Sequence, residues 1–200
     1  MVKVGAVVSA FSISFLLQAC AGVGIVASSD PQVKLHDARH LFTFQNRPLP
    51  AERLIREAIE LCVKDADQAC LAEAYLAYGY FFRSSAVESW EKVYRRDGFL
   101  EPTASFDNRL EKSKEYIDKS KPLIENSEAY DLQTNAYLNF GHDLEHQGRN
   151  LEACEMYARS LVANQKNLET NPKANVVLPE GYSSYEEYLA THQERAGCSE

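Results

Sequence analysis

Two short stretches of the chain each carry a pair of histidines four residues apart. They are His36 with His40 and His142 with His146, and an aspartate follows the first histidine of each pair. On a helix this spacing puts both imidazoles on one face, one turn apart, as zinc ligands require. Zinc hydrolases with such a helix use a glutamate as general base and need a third ligand, which stands at no known distance here. We interpret these histidines as exposed polar positions and predict no metal, no cofactor and no enzymatic activity; a metal-dependent hydrolase is a remote alternative.

Helices must position these side chains, because apolar residues recur at helical spacing from residue 33 almost to the end of the chain. One such run is Leu54, Ile55, Ala58, Ile59 and Cys62. Turn residues interrupt the pattern at 47–50 and at Gly148, and no alternating pattern typical of strands competes with it. Further helices are predicted at about 67–84, 104–119, 130–146 and 151–168, with a short one through Trp90 and a last one ending near Gly197. The fold class is therefore all-α.

The small and aromatic residues within these helices resemble the pattern of tetratricopeptide repeats. The best match is Tyr137-x2-Phe140-Gly141-x2-Leu144, a turn at Gly148, then Ala153-x3-Tyr157-x2-Ser160. A second match begins at Leu35-x2-Ala38-x3-Phe42, and a third, Tyr75-x2-Tyr78-Gly79, is separated from its second helix by an insertion at 85–103. The resemblance implies about three degenerate helical hairpins over residues 32–170, then a C-terminal extension, 171–200, with a short helix.

The same resemblance implies a binding groove, because ligands of tetratricopeptide arrays lie against the first helices of the hairpins. The residues at these positions are His36, His40, Tyr80, Arg83, Asn135, Asn139, His142 and His146. A rival partner site is the insertion, where Trp90 stands among arginines, since both residue types are enriched at interface hot spots. The alternative to the groove is a compact helix bundle that leaves little groove. The alternative to a partner site in the insertion is that the insertion folds back and Trp90 fills the core.

The first residues of the chain have the pattern of an export signal. After Lys3 the stretch 4–17 is uncharged and apolar, and it is too short to span a bilayer as a stable anchor. Leu17-Gln18-Ala19-Cys20 resembles the lipobox of bacterial lipoproteins, which implies that residues 1–19 are removed and that Cys20 is lipidated. Ala21, where inner-membrane lipoproteins have aspartate, implies the outer membrane. The domain is expected to face the periplasm, with the cell surface as the alternative. Residues 20–31 then form the lipidated N-terminus and a flexible spacer; a plain secretory signal is the alternative.

Charge and cysteine content indicate which partners the protein can bind and which compartment it occupies. The chain carries 21 Lys and Arg against 29 Asp and Glu, a net charge of -8 without a basic cluster, which argues against nucleic acid. Beyond Cys20 four cysteines remain, none in a CxxC arrangement, so we predict disulfides rather than a zinc or redox centre. The predicted bridges are Cys62–Cys70 across a polar turn and Cys154–Cys198 between a helix and the tail; free buried thiols are the alternative.

These features predict a non-catalytic lipoprotein anchored in the outer membrane. The chain is similar to the class of small tetratricopeptide-repeat lipoproteins that act as assembly factors of cell-envelope machines for secretion, pili or the cell wall. Its expected partners are envelope proteins and, through the lipid, the membrane; the oligomeric state stays open. An alternative of another class is an immunity or inhibitor lipoprotein that neutralises a periplasmic toxin or enzyme.

Overall fold

The computed structural model describes residues 28–174 and 178–198, and every regular element in these ranges is an α-helix. The helices are α1 (Pro31–Thr43), α2 (Pro48–Lys64), α3 (Gln68–Phe82), α4 (Ser85–Ser89), α5 (Glu91–Asp97), α6 (Arg109–Glu125), α7 (Tyr130–His146), α8 (Asn150–Thr170) and α9 (Tyr185–Ala196). The all-α prediction is confirmed. None of these helices combines the length and the apolar character that a membrane crossing requires. The predicted signal peptide and the lipidation site Cys20 lie outside the described residues.

The helices pack mainly in pairs that follow one another along the chain. α1 packs on α2, α3 on α6 and α7 on α8, while α2 also packs on α3. The insertion between α3 and α6 forms α4 and α5, with Trp90 at the junction between them. α9 packs on α8. The described chain is thus a stack of three helix pairs, with α4 and α5 inserted within the second pair and α9 added at the C-terminal end.

Two helical glycines allow the paired helices to approach closely. A Cβ built on Gly79 would lie 2.6 Å from Cγ1 of Ile117 on α6, and one built on Gly141 would lie 2.4 Å from Cε1 of Tyr157 on α8. Carbon atoms in van der Waals contact lie about 3.5 to 4.0 Å apart, so neither position has space for a side chain. These contacts explain why glycine stands inside α3 and α7, where it costs about 1 kcal/mol of helix propensity relative to alanine.

The boundaries of α6 differ from the sequence prediction. This helix begins at Arg109 and ends at Glu125, whereas the periodicity indicated about 104–119. Side-chain hydrogen bonds stabilise a turn before it, because Ser105 N donates to Asn108 Oδ1 at 2.7 Å and Asn108 Nδ2 donates to Thr103 O at 3.1 Å. Such local bonds compete with helix formation and delay the helix start.

A buried carboxyl connects α2 to the insertion. Glu52 is 1% exposed, and its Oε1 accepts hydrogen bonds from the Tyr78 hydroxyl at 2.9 Å and from Leu100 N at 2.8 Å. Burial raises the pKa of Glu52 to about 7, although these hydrogen bonds act in the opposite direction. The carboxyl therefore holds the backbone after α5 against the aromatic core, and it does so at a cost when it ionises.

The raised pKa of Glu52 predicts a loss of stability as the pH rises from about 4.5 to about 7. Its contribution is fully present below the ordinary value of 4.5 and is lost as the pH rises through about 7. Glu52→Gln keeps an acceptor at Oε1 but cannot ionise. Between pH 5 and 8 we expect this variant to gain about 2 kcal/mol in the free energy of unfolding relative to wild type, measured by urea denaturation.

Other groups also titrate in this range, so the informative quantity is the difference between variant and wild type at each pH. Glu60→Gln, which removes an exposed carboxyl from the same helix, is the matched control and should follow the wild-type curve. A constant offset between Glu52→Gln and wild type across the range would show that Glu52 does not titrate there.

Candidate binding cleft

A cleft of about 740 Å³ is lined by α6, α7 and α8 together with Arg83 at the end of α3. Its apolar lining consists of Leu110, Ile117, Tyr137, Phe140, Leu144 and Met156. Tyr137 and Phe140 are otherwise buried, whereas Leu110 is 58% exposed. Leu110 extends the apolar lining to the exposed surface, and apolar patches rimmed by polar residues mark binding sites.

The packing order of the helices creates this space. α7 packs extensively on α8 and only slightly on α3 and α6, and α6 and α8 are not packed closely against each other. A shared core still joins the second and third pairs; its members are Ala72, Leu76, Ile117, Ile124, Ala136, Tyr137, Phe140 and Ala163. The cleft is therefore the open side of this junction.

Charged side chains of both signs surround the apolar lining. Five are basic and four acidic, namely Arg83, Lys114, Lys121, Arg149 and Arg159 with Asp118, Glu125, Asp143 and Glu152. The whole chain has the opposite balance, 21 basic against 29 acidic residues. Arg83 pairs with Asp143 at 2.6 Å, Lys121 with Asp118 at 2.8 Å and Arg159 with Glu125 at 3.1 Å. The cleft is thus locally less acidic than the rest of the protein.

Three of these cations lie over aromatic rings. The Arg159 guanidinium is 4.2 Å from the centre of the Tyr137 ring, and its Nη2 donates to the Tyr137 hydroxyl at 2.8 Å. Lys121 Nζ is 5.7 Å from the centre of the Phe140 ring, and Arg83 lies 4.5 Å from that of Tyr80. Positive charge therefore stands directly beside apolar surface, a combination typical of interface hot spots.

Arg83 is the one predicted groove residue that lines the cleft. Tyr80 lies under it, with a buried hydroxyl that has no hydrogen-bond partner among the described residues, and burial raises the pKa of that phenol. Asn135 and Asn139 each donate to a carbonyl of their own helix four residues earlier. Neither these asparagines nor the exposed His146 belongs to the cleft lining.

His142 contacts α9 rather than an open groove. Its Nε2 lies 3.1 Å from Nδ1 of His192, which also accepts from Arg195 Nη2 at 2.8 Å. Burial and the neighbouring charges lower the pKa of His142, and they lower that of His192 to about 4. Because the Arg195 N–H occupies the lone pair of His192 Nδ1, this pair is unsuited to binding a cation in its present geometry.

An ion pair accompanies the two histidines. Arg195 Nη2 donates to Glu145 Oε2 at 2.9 Å, and the Tyr157 hydroxyl donates to the same oxygen at 2.6 Å. The Arg195 hydrogen bond, with that of Tyr157, lowers the pKa of Glu145 to about 2. These contacts join α7, α8 and α9.

The other histidine pair lies on an exposed face of α1. His36 Nδ1 is 3.4 Å from Asp37 Oδ1, and His40 Nδ1 is 3.0 Å from Gln45 Nε2. Across residues 28–174 and 178–198 no group of three or more His, Cys, Asp or Glu side chains is arranged to hold a metal ion.

Trp90, the predicted rival site, is partly buried and packs against the core formed by α1, α2, α3 and the insertion. It also borders a smaller pocket made by the neighbouring residues 88–93.

Both predicted cysteine pairs lie at disulfide distance, with Cα–Cα separations of 5.5 Å for Cys62–Cys70 and 5.6 Å for Cys154–Cys198.

The sequence prediction did not identify most residues of the cleft. Leu110 and Met156 were the available signals, because both are apolar residues on largely charged helices.

No family model, curated protein or solved structure matches this chain.

Proposed function

We propose that this protein is a non-catalytic, lipid-anchored lipoprotein of the outer membrane that binds a segment of a cell-envelope protein in the cleft. The observation that carries the proposal is the cleft itself, in which an apolar lining is surrounded by paired charges and ring-stacked cations. An apolar centre with a polar rim is the usual arrangement of a protein interface. The partner belongs to an assembled machine of the envelope for secretion, pili or the cell wall.

The helix packing supports a degenerate tetratricopeptide-like array as the scaffold. The six long helices α1–α3 and α6–α8 pack in three pairs, and Gly79 and Gly141 occupy equivalent places in the first helices of the second and third pairs. At both places the glycine faces a large side chain of the second helix. In this proposal the insertion with α4 and α5 replaces regular repeat structure in the second pair.

The anchor and the compartment rest on the N-terminal pattern and the cysteines. Leu17-Gln18-Ala19-Cys20 provides the proposed lipidation site, and two cysteine pairs at disulfide distance suit an oxidising compartment. Several acyl chains would retain the protein at the membrane without a spanning helix.

Site-specific photocrosslinking in cells tests the proposal. A benzoylphenylalanine replaces Leu110 in the cleft or, as matched control, Val63 on α2; both residues are 58% exposed, and only Leu110 lines the cleft. We expect Leu110→benzoylphenylalanine to give a discrete crosslinked envelope protein, identified by mass spectrometry, and the Val63 probe to give none. Adding Met156→Lys, which places a charge in the apolar lining, should abolish the product.

The same experiment in a Cys20→Ser background tests the anchor, because the unlipidated chain should leave the membrane fraction and lose the crosslink. Crosslinks of equal strength from both probes, or none from Leu110 in a folded membrane-bound protein, would contradict binding in the cleft. A crosslinked toxin or hydrolytic enzyme would replace the assembly role with that of an immunity lipoprotein.

A further inference from the structure

Resting on the function proposed above, we infer that the occupant of the cleft is an amphipathic α-helix whose apolar stripe is flanked by carboxylates. The function requires only a protein segment in the cleft. The length, the backbone chemistry and the charge of the cleft define that segment further.

The length of the cleft matches several turns of helix. On α6 the lining extends from Leu110 to Glu125, which at 1.5 Å per residue is about 22 Å. On α8 it extends from Arg149 to Arg159, about 15 Å by the same measure. An occupant of roughly 14 residues in helical form would follow the full length of the α6 side.

The backbone chemistry of the walls favours a helix over an extended segment. The lining comes from three helices, whose interior N–H and C=O groups are already bonded within each helix. An extended occupant would leave its own backbone groups facing Ile117, Phe140 and Met156 without partners, at a cost for each buried group. A helix satisfies its backbone internally and presents side chains at i, i+3, i+4 and i+7 to an apolar groove.

The charges favour acidic flanks. Five basic side chains stand against four acidic ones around the cleft, whereas the whole chain has 21 against 29, and Lys121 and Arg159 stand beside the apolar surface that an occupant would cover. A carboxylate placed there would add a second partner to a cation that becomes desolvated on binding. A basic flank would instead be drawn to the acidic remainder of the protein surface, away from the cleft.

Two synthetic peptides distinguish these possibilities. They share one leucine stripe at helical spacing and differ only in their flanking residues, which are glutamate in one and lysine in the other. By fluorescence anisotropy with the purified full chain at low salt, we expect the glutamate peptide to bind about ten-fold more tightly. The difference should shrink at high salt, because a Debye length of about 3 Å at 1 M screens exposed charges.

Charge reversal at the cleft locates the binding. Lys121→Glu should weaken the binding of the glutamate peptide several-fold. Lys92→Glu, the same change at an exposed position on α5, should leave that binding unchanged. Leu110→Asp, at an exposed lining residue, should abolish binding without unfolding the chain. An equal or tighter lysine peptide, or unchanged glutamate-peptide binding in Leu110→Asp, would overturn the inference.

The two proposals fail in different ways. If the Leu110 probe crosslinks an envelope protein but neither peptide binds, the acidic helix is rejected and the binding function remains. If the Leu110 probe gives no crosslink and neither peptide binds, both proposals are rejected.

Discussion

Gly141→Leu is expected to separate α7 from α8 and to lower the free energy of unfolding by at least about 4 kcal/mol. Even a Cβ at this position would lie 2.4 Å from Tyr157 Cε1 and 2.6 Å from Cδ1. The Tyr157 ring cannot move aside easily, because it is 0% exposed and its hydroxyl donates to Glu145. Gly141→Ala should cost less, about 2 kcal/mol, because improved helix propensity offsets part of the overpacking. Chemical denaturation followed by circular dichroism measures both variants.

Asn135→Ala is the control for this pair of variants. Asn135 is exposed on the same helix, and among the described residues its side chain donates a hydrogen bond only to a carbonyl of that helix. Its replacement should therefore change the free energy of unfolding by less than about 0.5 kcal/mol. If Gly141→Ala stabilised the protein, as the helix propensity of alanine alone would predict, the close approach of α7 and α8 at this residue would be wrong.

The sequence was most informative where local periodicity alone determines structure. The all-α class followed from apolar spacing, and Gly141 was noted as part of a resemblance to a packing pattern. The start of α6 was missed because Ser105 and Asn108 make side-chain bonds that a periodicity count does not include. At the start of α9 the Ser184 hydroxyl accepts from Glu187 N at 3.1 Å, a local cap that short sequence spacing can indicate.

The candidate site was less predictable, because it depends on distances between helices that are remote in sequence. Arg83 was selected for a groove on the first helices, yet it lines a cleft whose other residues come mostly from α6, α7 and α8. The width of that cleft follows from the limited packing of α7 on α6, which no local pattern reports. His142 was assigned to an open face because the docking of α9 against it could not be predicted from either helix alone.

Removing the disulfide between Cys154 and Cys198 is expected to destabilise the protein by about 4 kcal/mol and to release α9. The bridge joins residues 44 apart in sequence, so its loss restores much conformational freedom to the unfolded chain. Cys154→Ala with Cys198→Ala removes both thiols and leaves no reactive partner. Release of α9 should also expose His192, whose pKa should rise from about 4 toward its ordinary value of 6.5. Thermal denaturation and NMR titration measure the two effects.

The pair Cys62→Ala and Cys70→Ala is the matched control, because its bridge spans only 8 residues and should contribute about 2.5 kcal/mol. It lies far from α9 in sequence and should leave the pKa of His192 unchanged. The low pKa of His192 arises from burial beside His142 and Arg195, so it reports directly on the docking of α9. An unchanged His192 pKa after loss of the long-range bridge would show that packing of Leu189 and the Arg195–Glu145 ion pair hold α9 without the disulfide.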